Sequence, residues 1–162
     1  MKELTIEEII PHRPPFLLVS KIDEYTLGKD FANLKAHYIV NLRELSLEKL
    51  IKLPSSYILE GLGQCCNIIS VLNERNEISK DENSINDMTF NNSAILGLLA
   101  NVDIELYDEV DDNSIISYEV IQSFSQANFS IFEVQAFCNE TTIAKGKLIG
   151  SKKHFNAGYN VK

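Results

Sequence analysis

PSSYILEGLGQCCNIISVL, Pro54 to Leu72, reads as one long helix. Pro54 opens it, and Ser55 or Ser56 has the short hydroxyl side chain that suits an N-cap. Tyr57, Ile58, Leu59, Leu62, Cys65, Cys66, Ile68, Ile69, Val71 and Leu72 spread over nearly every side, the pattern of a helix buried all round. Polar interruptions make it a core helix, not a membrane span. Ser56, Glu60, Gln64 and Asn67 fall on one stripe. Glu60 is the only charge between Lys52 and Glu74. A carboxylate in apolar surroundings is costly unless hydrogen-bonded, and desolvation raises its pKa. That environment suits a general acid; a carboxylate held structurally by a donor is the other reading, and the helix pattern leaves both open. Gly61 and Gly63 each cost a helix about 1 kcal/mol against Ala, so something must approach closely there.

Outward from this helix, the 162 residues suffice for one domain with a sizeable core, 1–162, with a polar surface excursion at 73–93 and a tail at 152–162. A net charge of −8 argues against nucleic-acid binding. The acidic start, Met1–Glu8, has no signal-peptide pattern, and with no membrane span in view the expected location is cytoplasmic. Cys65, Cys66 and Cys138 make no disulfide framework and no metal-ligand spacing; they read as buried free thiols.

Thr5-Ile6-Glu7-Glu8 is a capping box opening a short helix that Pro11 ends. Pro14 and Pro15 keep the chain extended, and the apolar run Phe16–Ile22 predicts a strand. Phe31–Val40 alternates, with Ala32, Leu34, Ala36, Tyr38 and Val40 on one face and His37 on the outer one. Leu42–Leu53 reads as a short amphipathic helix or a loop packed on the core. Ala94–Tyr107, Ser114–Ser125, Phe129–Asn139 and Thr141–Ser151 are strand candidates separated by short turns, expected to form an antiparallel meander. One helix wrapped by a bent antiparallel sheet is an α+β arrangement, and its uncovered edge favours a dimer.

Two stretches carry a family resemblance. Pro11–Val19, PHRPPFLLV, resembles the N-terminal signature of the β-hydroxyacyl-acyl-carrier-protein dehydratases, which have the hotdog fold. PSSYILEGLGQ, residues 54–64, is similar to that family's central-helix motif, with Pro54, Glu60 and Gln64 in register. The resemblance runs from about Thr5 to Ser151. It implies that a His takes the α-proton of a 3-hydroxyacyl thioester. A Glu from the partner subunit's helix, here matched by Glu60, helps the hydroxyl leave as water. The substrate arrives on the phosphopantetheine arm of an acyl carrier protein, with no metal or organic cofactor. By the same resemblance Ser55, Ser56 and Tyr57 supply N–H donors for the thioester oxygen, and Gln64 is counted with them as substrate-binding.

The chain departs from the family where the family carries its His, in a His-Phe-Pro-Gly turn ahead of the helix. Here that interval is Arg43–Leu53, RELSLEKLIKL, with no His, Gly or Pro; Ser46 falls nearest the missing His. A lone serine cannot take a carbon acid's proton at neutral pH. The histidines are His12, His37 and His154, of which His12 reads as a structural hydrogen-bonding group and His154 lies in the tail. Ser55 also replaces the glycine of the family's Pro-Gly step.

Three functions follow. One is a dehydratase-like subunit, homodimeric or completed by a second hotdog subunit that brings the His. One is an acyl-thioester hydrolase using Glu60. The third is a non-catalytic acyl-chain or carrier-protein binding module. Arg13, Lys49, Lys52, Lys152 and Lys153 are the cations available to meet an acidic carrier protein, or they are scattered solubilising charges.

Overall fold

The computed structural model describes residues 5–28, 31–80, 94–126 and 129–155. Its elements are α1 (Ile6–Ile9), β1 (Lys21–Thr26), β2 (Ala32–Ile39), β3 (Lys52–Leu53), α2 (Ser55–Lys80), β4 (Ala94–Leu106), β5 (Val110–Asp111), β6 (Ile115–Ser125), β7 (Phe129–Cys138) and β8 (Thr141–Phe155). Six strands form one antiparallel sheet in the order β1-β2-β6-β7-β8-β4, and β3 and β5 form a separate pair. The sheet's apolar face lies on α2, as the hotdog arrangement expects. Alternation places Ala32, Leu34, Ala36 and Tyr38 of β2 in that core, beside Ile116, Tyr118 and Val120 of β6. Ile58, Leu62, Cys65, Ile68 and Ile69 of α2 meet them without solvent exposure.

The capping box forms as read: Glu8 Oε2 accepts from the Thr5 backbone N–H at 2.8 Å. Elsewhere the structure corrects the sequence reading. Phe16–Ser20 is not strand; β1 begins at Lys21, and Arg13–Phe16 is a turn containing a cis Pro14–Pro15 peptide, not an extended run. Of the two readings of Leu42–Leu53 the loop packed on the core is the one that forms, with Leu42, Leu45 and Leu53 buried, and the helix does not. Asn41 caps Glu44 N–H, Asp112 reaches across to Leu42 N–H, and Ser46 turns the chain at φ 58°. The segment then closes as β3 against β5, where Lys52 and Asp111 pair at 3.1 Å.

α2 starts at Ser55, which leaves Pro54, not a serine, in the preceding cap position, and it runs to Lys80, past the expected end at Leu72. The first part of the expected excursion is therefore helix; residues 81–93 lie outside the described ones. The meander comprises β6, β7 and β8, whereas β4 pairs with β8 and so stands at the sheet edge. β8 runs on to Phe155, so the first four residues of the expected tail are strand. Among the described residues no helix is long and apolar enough to cross a membrane.

The two α2 glycines have different settings. Gly61 is buried, and a Cβ there would run into the Tyr118 hydroxyl and stand 2.6 Å from Tyr118 Cζ. Gly63 is half-buried. Cys65 and Cys66 are buried free thiols, and burial pushes both well above the ordinary thiol range, so neither is a nucleophile. Cys138 is free and half-buried.

Candidate functional site

Glu60 sits in the second turn of α2, and its side chain is 47 % exposed. The expectation of a helix buried on every side fails here. Ser56, Glu60 and the half-buried Leu59, Gly63 and Asn67 form an open stripe along α2 in the single chain. The stripe recurs at three- and four-residue steps, as one helix face must.

Gln64, one turn on, is 1 % exposed. Its Oε1 accepts from Leu18 N–H at 2.8 Å, and its Nε2 donates to Phe16 C=O at 2.7 Å and to Glu60 Oε1 at 3.1 Å. The first two bonds replace the ladder that Phe16–Ser20 would have made as a strand. They fasten the PHRPPFLLV segment to the central helix. Gln64→Leu is expected to strand these backbone groups and to cost about 1–3 kcal/mol of stability. Urea denaturation measures this, and an unchanged midpoint would contradict the clamp.

That clamp brings His12 to the site. His12 Nε2 lies 3.3 Å from Glu60 Oε1, with the imidazole 31 % exposed. The ring's Nδ1 is buried and has no hydrogen-bond partner among the described residues. The sequence reading of His12 as a structural group at the helix-to-strand junction missed this contact, because 48 residues separate the pair and neither periodicity nor spacing links them. His37 stands elsewhere, on the outer sheet face, with Nδ1 at 2.8 Å from Asp23 Oδ2. The side chain of His154 lies outside the described ones.

Ser55 and Ser56 are exposed and Tyr57 half-buried at the positive end of the α2 dipole. Tyr57 N–H donates to Pro54 C=O at 2.9 Å. Ser55 and Ser56 line a half-open pocket of about 310 Å³ with Lys52, Leu53, Pro54, Asp108 and Glu109. Glu60 is not in its lining, so pocket and carboxylate are neighbours on the helix, not one cavity. Of the expected cations, Arg13 is turned back onto Ile10 C=O and His12 C=O, Lys52 is held by Asp111, and Lys49 is exposed. The Asp111 hydrogen bond raises the Lys52 pKa. The side chains of Lys152 and Lys153 lie outside the described ones.

A long buried helix in the curl of a six-stranded antiparallel sheet, with a carboxylate at its open face, defines a hotdog-fold protein. Its sequence resembles the β-hydroxyacyl-acyl-carrier-protein dehydratases along nearly its whole length. It is 27 % identical over 147 residues to the 3-hydroxyacyl-[acyl-carrier-protein] dehydratase FabZ of Clostridioides difficile, covering 89 % of this chain and 92 % of that one. It is 33 % identical over 84 residues to FabZ of Nitratiruptor sp., covering 48 % of this chain and 55 % of that one. No family model matches the chain.

Among solved structures, the dehydratase heterocomplex ApeI:P from Xenorhabdus doucetiae superposes with a TM-score of 0.71 at 17 % identity, over 94 % of this chain and 93 % of that one. A putative thioesterase, yhdA, from Lactococcus lactis gives 0.59 at 8 % identity, over 84 % and 94 %. These likenesses bear out the fold.

Proposed function

We propose that this chain is a dehydratase of 3-hydroxyacyl thioesters, which it takes from the phosphopantetheine arm of an acyl carrier protein. The observation that carries the reading is Glu60. It stands in register with the dehydratase motif, on the open face of α2, with Oε1 accepting from Gln64 Nε2, His12 Nε2 3.3 Å away, and no hydrogen bond to Oε2 among the described residues. A carboxylate so placed can move a proton to a departing hydroxyl. The N–H groups at Ser55–Tyr57 serve the thioester oxygen, where negative charge grows as the α-proton leaves. Of the expected cations, the exposed Lys49 is the one placed to meet the acidic carrier.

The working unit is a dimer, either of two copies or with a second hotdog subunit bearing the His-Phe-Pro-Gly turn. Support comes from β4. Ile104 packs against the core, so Val102 and Leu106 share its face, yet they are 46 % and 41 % exposed. A thirteen-residue edge strand with an uncovered apolar face needs a neighbour. Introducing Glu at both Val102 and Leu106 is expected to halve the mass on size exclusion. An unchanged dimer would contradict this, and a wild type that stays monomeric both alone and with such a subunit would do the same.

Two substrates test the reaction. A 3-hydroxyacyl thioester is expected to yield the conjugated enoyl product, and a saturated acyl thioester to remain intact. Free thiol released from both would assign hydrolysis instead. Tight binding of both without turnover would assign a binding module.

A further inference from the structure

The open face of α2 changes polarity along its length, and Glu60 stands at the change. Toward the helix start lie the exposed Ser55 and Ser56, in a pocket that Lys52, Asp108 and Glu109 also line. That end is polar. Beyond Glu60 the half-buried Gly63 has no side chain and leaves a notch in the face. The half-buried Leu59 flanks the carboxylate, and Phe16 stands beside the same turn, 59 % exposed. The place of Phe16 is fixed. Gln64 Nε2 donates both to Phe16 C=O at 2.7 Å and to Glu60 Oε1 at 3.1 Å, so those two oxygens lie within about 6 Å of each other. Phe16 N–H donates to Arg13 C=O at 2.9 Å and closes the turn that holds it. Phe16 and Leu59 thus offer apolar area beside Glu60, on the side away from the polar pocket.

The next polar side chain along the face is Asn67, about 10 Å further along the axis than Glu60. Asn67 is half-buried, and its Oδ1 is shielded from solvent with no hydrogen-bond partner among the described residues. An apolar chain laid over that amide would seal it further from water, a cost larger than the gain from one buried methylene. We propose that this face measures acyl-chain length: the chain runs from Glu60 past Phe16 and over Gly63, and Asn67 ends it. The inference deepens the dehydratase reading above and rests on it for the direction of the substrate. With the thioester oxygen at Ser55–Tyr57 and C2 and C3 at Glu60, the remaining carbons continue toward Asn67. A span of about 10 Å holds roughly eight extended carbons, whose bonds of about 1.5 Å each advance the chain by somewhat less than their length. The preferred substrates are therefore 3-hydroxyacyl thioesters of short to medium length, up to about eleven carbons in all. Phe16 supplies binding area and Asn67 the stop, and neither touches the reacting atoms.

The experiment measures affinity for saturated acyl-pantetheine thioesters, from butyryl through octanoyl and decanoyl to tetradecanoyl, by isothermal titration calorimetry. Wild type, Phe16→Ala and Asn67→Leu are compared, each checked by circular dichroism and size exclusion. In the wild type, affinity is expected to rise roughly threefold to fourfold per added carbon as far as decanoyl, and to rise no further at tetradecanoyl. Phe16→Ala should lower octanoyl affinity about tenfold. Asn67→Leu removes a shielded acceptor that has no partner, so the fold should tolerate it. Tetradecanoyl should then bind about tenfold more tightly than to the wild type. The same ordering is expected in KM, with kcat little changed, when the matching 3-hydroxyacyl thioesters are turned over.

The inference is overturned if wild-type affinity climbs without a break to tetradecanoyl, if Asn67→Leu keeps the break, or if no chain length binds. It is equally overturned if Phe16→Ala lowers the mass on size exclusion and leaves octanoyl affinity unchanged, which would give that face to a partner subunit. A break that Asn67→Leu lifts, with no water loss from any 3-hydroxyacyl thioester, would strike the dehydratase reading and leave the chain-length face intact. Water loss with equal kcat/KM at every chain length would do the reverse.

Discussion

Glu60→Gln is expected to cut water loss by roughly a hundred- to ten-thousand-fold, the usual weight of a positioned acid–base group. In free energy this is roughly 3–5 kcal/mol of lost transition-state stabilisation. The fold should survive. Glu60 is 47 % exposed, and the amide oxygen of Gln can still accept from Gln64 Nε2. What disappears is a group able to take and return a proton. Steady-state rates beside a thermal melt separate the two effects: turnover lost with an unchanged melt is the expected pair of results. Full turnover in this variant would remove Glu60 from the mechanism.

Gly61→Ala is expected to be the most damaging small change in the fold. Alanine at a helix interior would ordinarily stabilise by about 1 kcal/mol. Here the added methyl enters the space of the buried Tyr118 ring, 2.6 Å from Cζ. Tyr118 on β6 is itself 1 % exposed, with no room to retreat. Overpacking of this kind costs about 1–3 kcal/mol and sometimes more, enough to reverse the helix gain.

The Tyr118 hydroxyl has no hydrogen-bond partner among the described residues. Tyr118→Phe should therefore be neutral or stabilising by itself, and it should recover part of the Gly61→Ala loss. Denaturation midpoints of the two single variants and the double variant measure the coupling. Additive effects would mean that the ring and the helix do not meet as described.

Much of this was legible in the sequence because local and global signals agree there. The run from Tyr57 to Leu72 could only be a core helix. The alternation of Phe31–Val40 fixed which face of β2 is buried. The last three strands follow one another through short turns. Other parts depend on contacts that no local pattern carries. Phe16–Ser20 has strand-like residues, but Gln64, from a distant helix, takes its hydrogen bonds. The Leu42–Leu53 segment has apolar residues at helical spacings. Its shape is set instead by the Asn41 and Asp112 side chains. The polar residues from Asn73 onward read as a loop, yet they continue α2; Asn73 is buried, donating to Gln122 at 3.2 Å.

At the site, Glu60 was visible as a lone carboxylate, but its openness was not. The bulky residues around it suggested burial, whereas the stripe through Ser56, Gly63 and Asn67 leaves that face of the helix uncovered. His12 was visible only as part of a signature. Its meeting with Glu60 follows from the Arg13–Phe16 turn and the Gln64 clamp together, both of them tertiary features.

The most direct test of the account is mass spectrometry of a carrier protein loaded with a 3-hydroxyacyl chain, incubated with this protein alone. The account predicts loss of one water from the loaded carrier, with the thioester retained, either with this protein alone or once a hotdog subunit bearing the His-Phe-Pro-Gly turn is added. An unchanged mass, both alone and after addition of a hotdog subunit with an intact His-Phe-Pro-Gly turn, would contradict it, and so would release of the bare carrier thiol.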